Sequence, residues 1–407
     1  LWVEVEVEKD LGFKNKKDVE NFGLENFTNA CVERVKKFSG IITEQSKRLG
    51  QWMDWDNSYY KMADNNITSI WYFLKKCHER GMIKEIYKPM PWCVRCGTSL
   101  SEHEMTGSYH DVTCKAVFFK LPVVGKDYKA VVWTTTPWTL CANVALAVNP
   151  DFEYVVADFD GEKLLLCKDV FDKKFKGKAK VLETLKGKDL EGLEYETCFE
   201  ELDAQKDVKH KIVLWDMVDN SEGSGIVHIA PGCGAEDFEL GESLGLDKII
   251  PIDESGYIYD GFGFLSGMNA KEVQHKVFEE LEKRGKLFFT HDYKHAYPYC
   301  WRCKQDIMFR LVKEWAIDVD SVREKLIENA KKVKYTPEYQ EKRMLDWLTN
   351  MGSWNISRRR FYGLPLPFYK CECGHLTVVG SKEELKELAV NPDVVDNLQE
   401  LHRPFID

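Results

Sequence analysis

The pattern of apolar and polar positions changes character twice along the chain. Apolar residues at Ile67, Ile70, Trp71, Leu74 and Cys77 follow the 3.6-residue period, which predicts a helix capped by Asp64 and stopped at Gly81. Residues 82–92 read as strand, so 1–92 is expected to be mixed α/β. From Val117 to about Gly267, short apolar runs recur at 130–133, 144–148, 154–157, 164–167, 212–215 and 225–230. Turn residues separate them, as in Val124-Gly125-Lys126-Asp127, Asp160-Gly161 and Asn220-Ser221-Glu222-Gly223. That spacing predicts a compact β domain, barrel-like or sandwich-like. A helix over 271–284 follows, with Val273, Val277 and Leu281 inward and Gly285 ending it. Beyond residue 303 the α/β character returns. Ser321-x-x-Glu324 and Ser381-x-x-Glu384 read as capping boxes ahead of Leu326 and Leu385. The layout is α/β, β insertion, α/β.

With 407 residues, 44% hydrophobic and 30% charged, the chain has material for two to three globular domains. Its 57 basic and 67 acidic side chains give a net charge of −10, read as having no block of like charges. A histone-like or polybasic-tail binder is excluded, and any nucleic-acid partner must be held by a local patch. No run of 18 apolar residues occurs. The nearest stretch, 131–150, holds four Thr, two Pro and two Asn and reads as buried strand and loop. The chain starts at Leu1 with neither signal peptide nor initiator Met, as expected for an excerpt of a longer protein.

Thirteen cysteines, an odd number in a chain too large to need disulfides, point to a reducing setting. Two knuckles share one spacing, Cys93-Val-Arg-Cys96 and Cys300-Trp-Arg-Cys303, each beside an aromatic-Pro segment. Together they make a four-cysteine zinc site; two unrelated turns, or redox pairs, are the alternatives. If one ion holds both knuckles, residues 97–299 leave and return to one place, as an inserted domain with a metal at its neck. Cys371 and Cys373, ahead of Gly374-His375, form a further half-site whose other ligands are expected outside the chain. Cys31, Cys77, Cys114, Cys141, Cys167, Cys198 and Cys233 read mostly as small apolar fillers.

Three segments carry candidate chemistry. Trp133-Thr134-Thr135-Thr136-Pro137-Trp138-Thr139-Leu140 puts a hydroxyl cluster at a strand end, suited to a water, a ribose hydroxyl or a phosphate oxygen; plain β-propensity is the bland alternative. The segment 223–237 carries His228 on a strand, then a Gly-rich turn, then Glu236-Asp237. Its glycines suit close approach of a ligand to backbone, although no Lys follows as a phosphate loop requires. A core histidine and a solvated acidic helix start are the bland readings. Together the first two segments suggest one small polar pocket. In 354–367, Arg358-Arg359-Arg360 among aromatics suits phosphate or nucleic-acid contact, or a solvated helix end.

As a set, these segments resemble a class I isoleucyl-tRNA synthetase of archaeal type. So do Leu49-Gly50-x-Trp52-x-Asp54-Trp55-Asp56-Asn57, Tyr297-Pro298-x-Cys300-Trp301-Arg302-Cys303 and Leu401-His402-Arg403-Pro404. The resemblance implies an α/β fold: pieces of an interrupted Rossmann-type catalytic domain, an inserted β-barrel-like editing domain and four-cysteine zinc knuckles. It implies catalytic-domain pieces at 1–92 and 304–370. It makes 93–303 the knuckle-bounded connective peptide 1, with the editing domain at about 110–295, and starts a second zinc-binding insertion at 371–407. The family's two synthetic signatures, His-x-Gly-His and Lys-Met-Ser-Lys-Ser, are placed before Leu1 and after Asp407. Synthesis is therefore not expected of this portion alone.

The implied function is part of a cytoplasmic isoleucine–tRNA ligase that carries proofreading hydrolysis of valyl-tRNA(Ile) or valyl-adenylate. Isoleucine and valine differ by one methylene, worth about 1–3 kcal/mol in a pocket; this family is the standard illustration of that limit. Asp237 is implied to hold the α-ammonium. Thr134, Thr135, Thr136 and Thr139 are implied to position the terminal adenosine and the attacking water. His228, counted with Asp237 and Thr134–136 among the catalytic residues, shapes the side-chain pocket with Trp133, and Asn143 supports the threonine loop. Catalysis is expected from positioning and the ribose hydroxyl of the tRNA, without a metal in the hydrolysis. The implied metal ligands are Cys93, Cys96, Cys300, Cys303, Cys371 and Cys373, holding structural Zn2+; ATP and Mg2+ belong to the full-length enzyme. The implied partners are tRNA(Ile) and the valine or isoleucine aminoacyl group, with no membrane and a monomeric state. Cys141, Gly232-Cys233, Arg359 and Tyr362 depart from the family pattern. The alternatives are a valyl-type editing portion and a zinc-pinned tRNA-binding module with an inactive pocket.

Overall fold

A computed structural model describes residues 2–398 and 400–406, with the backbone alone at Glu102 and His103. The chain divides into two compact units, Leu1–Tyr87 with Arg95–Ser99 and Lys313–Asp407, and Lys88–Val94 with Leu100–Val312.

The first unit is richer in helix than the expected α/β mixture. Trp2–Asp10, Lys16–Phe22, Leu24–Arg48 and Asp64–Glu79 are helices, and the first of these is formed by a Val-Glu alternation. A strand would put Glu4, Glu6 and Glu8 on one face; a helix pairs Glu4 with Glu8 one turn on. Both are buried. Lys16 Nζ lies 2.8 Å from each, Arg95 lies 2.7 Å from Glu8 and Arg360 lies 3.1 Å from Glu4. Burial pushes the Glu4 carboxyl up, but the Lys16 and Arg360 charges outweigh it and hold it below its ordinary value.

Ile67, Trp71, Leu74 and Cys77 are buried on one stripe of Asp64–Glu79, and Trp71 Nε1 donates to Pro365 O at 2.9 Å. Asp64 is the first helical residue and not the cap, which is Ala63. Ser381 caps its helix by accepting from Glu384 N. Ser321 does not cap: a 3-10 turn, Asp320–Val322, leads into Arg323–Ala330, and the cap position is Val322. The arginine segment is irregular backbone after the short strand Trp354–Asn355, not a helix end.

The second unit is built on a curled, half-barrel sheet of nine strands. Its strands include Lys129–Thr134, Ala145–Val148, Glu153–Phe159, Glu162–Cys167, Lys211–Leu214 and Ile226–Ile229, which match the six apolar runs. Tyr109–Pro122 and Leu287–Pro298 add a long antiparallel ribbon. Lys129–Thr134 positions the site, because it has three partners. Tyr109–Pro122 covers one edge. On the other, Leu164 and Leu165 pair with its first two residues, and Val227 takes over at Trp133. The sheet therefore opens beside Trp133. The predicted 271–284 helix is shorter, Gln274–Lys283, with Val277 and Leu281 fully buried and Val273 at its cap. No described helix is long and apolar enough to cross a membrane.

Candidate active site and metal centre

The opening in the sheet is lined as a cavity of about 580 Å³, within the usual span of small-molecule sites. Trp133, Thr134, Thr135, Thr136 and Thr139 form one wall, and His228, Ala230, Cys233, Gly234 and Asp237 another. Segment 219–225, with Trp215, Met217 and Tyr293, closes the rest. Two separate sequence motifs thus meet in one site. The strand ends at Thr134, Pro137 starts a 3-10 turn, and the chain wraps the threonines around one corner.

The histidine side is internally complete. Thr139 Oγ1 donates to Thr136 O at 2.8 Å, so its contact with His228 Nε2, also 2.8 Å, takes the ring proton. His228 Nδ1 is then an acceptor for Asn143 Nδ2 at 3.3 Å. Asn143 also donates to Ala145 O at 2.9 Å, and its Oδ1 accepts from Tyr195 Oη at 2.7 Å and Thr197 Oγ1 at 3.3 Å. Asn143 lies behind the wall, where it fixes the ring and the tautomer. Burial lowers the His228 pKa to about 4, so the ring is neutral at physiological pH.

The aspartate side is not complete. Asp237 lies in the first turn of the helix Ala235–Leu244, half-buried in the lining of the cavity. Its Oδ2 accepts from Ala230 N at 2.8 Å. Burial pushes its pKa up to about 6, against the pull of that hydrogen bond. One donor does not satisfy a carboxylate with two oxygens, and the site favours an arriving cation. Thr134 Oγ1 accepts from Thr136 N at 3.1 Å, whereas the half-buried hydroxyls of Thr135 and Thr136 make no hydrogen bond among the described residues. Trp133 Nε1 is buried without a partner there.

The glycines around His228 serve packing more than ligand approach. Gly223 has φ +67°, and a Cβ there would lie 2.8 Å from the Trp133 ring; at Gly225, φ +72°, it would lie 2.2 Å from Cys167 Cβ. Cys141 and Cys233 are buried, and burial pushes the Cys141 thiol up to about 12. Sequence reasoning missed Tyr195, Thr197 and His210, which converge on Asn143 from remote segments with no shared motif.

The four knuckle cysteines come together. The thiols of Cys93, Cys96, Cys300 and Cys303 all lie within 4.8 Å of one another, and the first three are buried. Cys93 Sγ and Cys303 Sγ are 3.4 Å apart. A tetrahedral zinc with bonds of about 2.3 Å sets its sulfurs just under 4 Å apart, so the donor set fits a soft divalent cation. Cys371 and Cys373 behave differently. They are exposed at the turn between the strands Phe368–Lys370 and Leu376–Val378, and no group of three or more metal-ligating side chains among the described residues includes them. Arg360 of the basic segment is spent on Glu4.

Residues 1–403 match the family model described as tRNA synthetases class I (I, L, M and V). The chain is 38% identical over 411 residues to the isoleucine–tRNA ligase of Methanothermobacter thermautotrophicus, covering all of this chain and 39% of that protein. It is 37% identical over 428 residues to that of Methanocaldococcus jannaschii, covering all of this chain and 41% of that protein. Against that of Clostridium novyi, identity is 38% over 409 residues, covering all of this chain and 39% of that protein. The chain spans about two fifths of the length of these curated relatives. Among solved structures, the P. falciparum cytosolic leucyl-tRNA synthetase editing domain is similar over 44% of this chain and 99% of its own, at 10% identity and a TM-score of 0.35. On the match over residues 1–403, the chain belongs to the class I tRNA synthetases of the I, L, M and V group.

Proposed function

We propose that this chain is the proofreading portion of a cytoplasmic isoleucine–tRNA ligase, and that its cavity hydrolyses the valyl ester of tRNA(Ile). The observation that carries the reading is the meeting of the threonine run, the His228 strand and the Asp237 carboxylate around one cavity. The α-ammonium of the aminoacyl group pairs with Asp237, replacing the water lost on burial with a charge-assisted bond. Thr135 and Thr136 present hydroxyls to the attacking water and the terminal ribose, and Thr134 and Thr139 hold the loop in shape. Water attacks the ester carbonyl and the acyl–oxygen bond breaks; one proton of the water passes to the leaving ribose oxygen, supported by the adjacent ribose hydroxyl, and valine leaves as its carboxylate with the other proton lost to solvent. His228 is a positioning residue: both ring nitrogens are engaged in the wall, and with Trp133 it limits the size of the admitted side chain. The reading extends to the boundaries: 93–303 as the inserted peptide, 1–92 and 304–370 as pieces of a Rossmann catalytic domain that uses ATP and Mg2+ when complete, and 371–407 as the start of a second insertion.

Zinc on Cys93, Cys96, Cys300 and Cys303 closes the neck of the insertion and takes no part in hydrolysis. Metal analysis of protein purified under reducing conditions is expected to find one zinc per chain, lost in Cys93→Ser/Cys300→Ser. Finding no metal on reduced protein would remove that element.

The test of function is deacylation of valyl-tRNA(Ile), with isoleucyl-tRNA(Ile) as control and a short valyl-adenosine ester as a minimal substrate. Selective loss of valine is expected. Indifference to both esters on either scaffold would leave a binding module with an inactive pocket. Preferential cleavage of threonyl-tRNA would make the site valyl-type.

A further inference from the structure

Five lysines fall in eight residues at Lys173-Lys174-Phe175-Lys176-Gly177-Lys178-Ala179-Lys180, with no acid from 173 to 182. This corrects the reading of a chain without a block of like charges. Interleaved small and aromatic residues hide the run in the sequence, and the net charge of −10 conceals it in the sum. All five are exposed, and among the described residues none forms an ion pair. The neighbouring Lys168 and Lys186, by contrast, both pair with Glu153. The run is held in place. The helix Lys168–Lys174 ends at Phe175, whose buried ring packs 5.4 Å from Phe159 and 6.1 Å from Phe288.

The run abuts the cavity. Lys173 Nζ donates to Asn220 O at 3.4 Å and Lys174 Nζ to Gly223 O at 3.5 Å, both on the segment that forms the cavity rim. The acids nearby are already engaged: Asp169 accepts from Asn220 Nδ2 at 2.5 Å, Asp219 from Ser221 and Glu222 from Tyr293 Oη, while Asp172 stands exposed on the helix. Lys173 and Lys174 are thus tied to the rim, whereas Lys176, Lys178 and Lys180 are exposed without an ion pair among the described residues, with Asp172 the exposed acid beside the run.

We infer that the turn 173–180 is a phosphate-binding track for a single-stranded polynucleotide whose 3′-terminal residue enters the cavity. This rests on the reading that the cavity takes an aminoacyl ester of a nucleic acid. If the ester sits between the threonines and Asp237, the preceding phosphates must leave over the rim, where Lys173 and Lys174 begin the track. Ammonium groups on flexible stems contact phosphate without reading bases, which suits a backbone track. The track supplies docking affinity, and the cavity supplies selectivity among acyl groups.

The test is fluorescence anisotropy of the 407-residue chain with a labelled single-stranded RNA of about 12 nucleotides, between about 50 and 200 mM salt. Lys176→Gln/Lys178→Gln/Lys180→Gln neutralises the outer track and leaves Lys173, Lys174 and the wall untouched. Each phosphate contact contributes about −0.7 to the slope of log affinity against log salt for single strands, so the slope should flatten by about 2. Affinity at the lowest salt should fall by about tenfold or more. Lys331→Gln/Lys332→Gln/Lys334→Gln removes the same charge from exposed positions of the other unit and should change neither. No RNA binding by the unaltered chain, an unchanged slope in the first variant, or an equal loss in the second would overturn the track. Hydrolysis of valyl-adenosine, which has no phosphate, separates this inference from the functional reading. The track variant should cleave it normally. If the unaltered chain binds RNA in the predicted way but cleaves no valyl ester, the functional reading falls and the track stands.

Discussion

The two titratable walls of the cavity are built on opposite principles. His228 is enclosed by donors and acceptors from Thr139 and Asn143, and Asn143 by Tyr195 and Thr197, so each named polar atom has a partner within the protein. Asp237 has one backbone donor and a pKa of about 6. Burial disfavours the charged form in both cases, which lowers the histidine and raises the aspartate. The complete network is a shape. The incomplete one is a binding demand, and a ligand cation meets it.

The sharpest way to break this contrast is Asp237→Asn, which keeps an acceptor for Ala230 N and removes the charge. Hydrolysis of valyl-tRNA(Ile) is expected to fall by at least about 100-fold, in the range of losing one buried charge-assisted contact. Stability at pH 7.5 should move the other way. Holding this carboxylate ionised costs up to ~3 kcal/mol, from the difference between about 6 and 3.8. A variant that loses activity and melts higher would mark Asp237 as a functional group held at the expense of stability. Retained hydrolysis would remove it from the site.

Asn143→Ala attacks the other wall. It strands Tyr195 Oη and His228 Nδ1 in buried surroundings and should destabilise by about 2–4 kcal/mol, read by denaturant unfolding. Hydrolysis of the minimal ester should weaken through loss of selectivity, with isoleucyl ester now admitted. A neutral substitution would show that the network is incidental.

How much of this was legible in the sequence follows from the range of each interaction. The six strand runs could be read because burial on a sheet is a local pattern. The four-thiol cluster could be read because a knuckle fixes its own half of a tetrahedron. The pairing of the threonine run with Asp237 is non-local: two polar segments in one β domain suggested a shared pocket, and the family resemblance supplied the role of each residue in it. Tyr195 and Thr197 were invisible, since nothing local in 195–197 says that they meet Asn143. The helix Trp2–Asp10 carries no 3.6-residue apolar period to announce it; tertiary pairing of Glu4 and Glu8 with Lys16, Arg95 and Arg360 holds it against β-branched propensity. Cys371 and Cys373 look like the other cysteines in sequence, yet they stay exposed on a hairpin turn.

The pH dependence tests both walls at once. Activity requires ionised Asp237, so kcat/KM should fall about tenfold between pH 7.5 and 5, with the inflection near 6. Stability behaves differently. The raised aspartate makes the fold gain stability on acidification from about 6 to 3.8, because the native state binds the proton first. The lowered histidine makes it lose stability from about 6.5 to 4, because the unfolded state binds the proton first. The contributions are of similar size and opposite sign, so these two groups should leave the slope between pH 6 and 4 nearly flat. Asp237→Asn should expose the histidine slope, with stability falling toward acid faster than in the unaltered chain. His228→Gln should expose the reverse. Parallel slopes in all three proteins would refute the assignment of either shift.

The smallest effect separates hydroxyls that hold the loop from hydroxyls that face the substrate. Thr134 Oγ1 accepts the Thr136 N–H, so Thr134→Val strands a backbone donor and should cost both stability and activity. Thr135 makes no such bond among the described residues, so Thr135→Val keeps the shape and removes only a hydroxyl that lines the cavity. It should unfold at the same denaturant concentration as the parent and lose roughly 1 kcal/mol of transition-state stabilisation, about fivefold in kcat/KM. Equal activity would place the attacking water on other groups. Equal loss of stability in both variants would erase the distinction between the part of the threonine run that builds the wall and the part that faces the ligand.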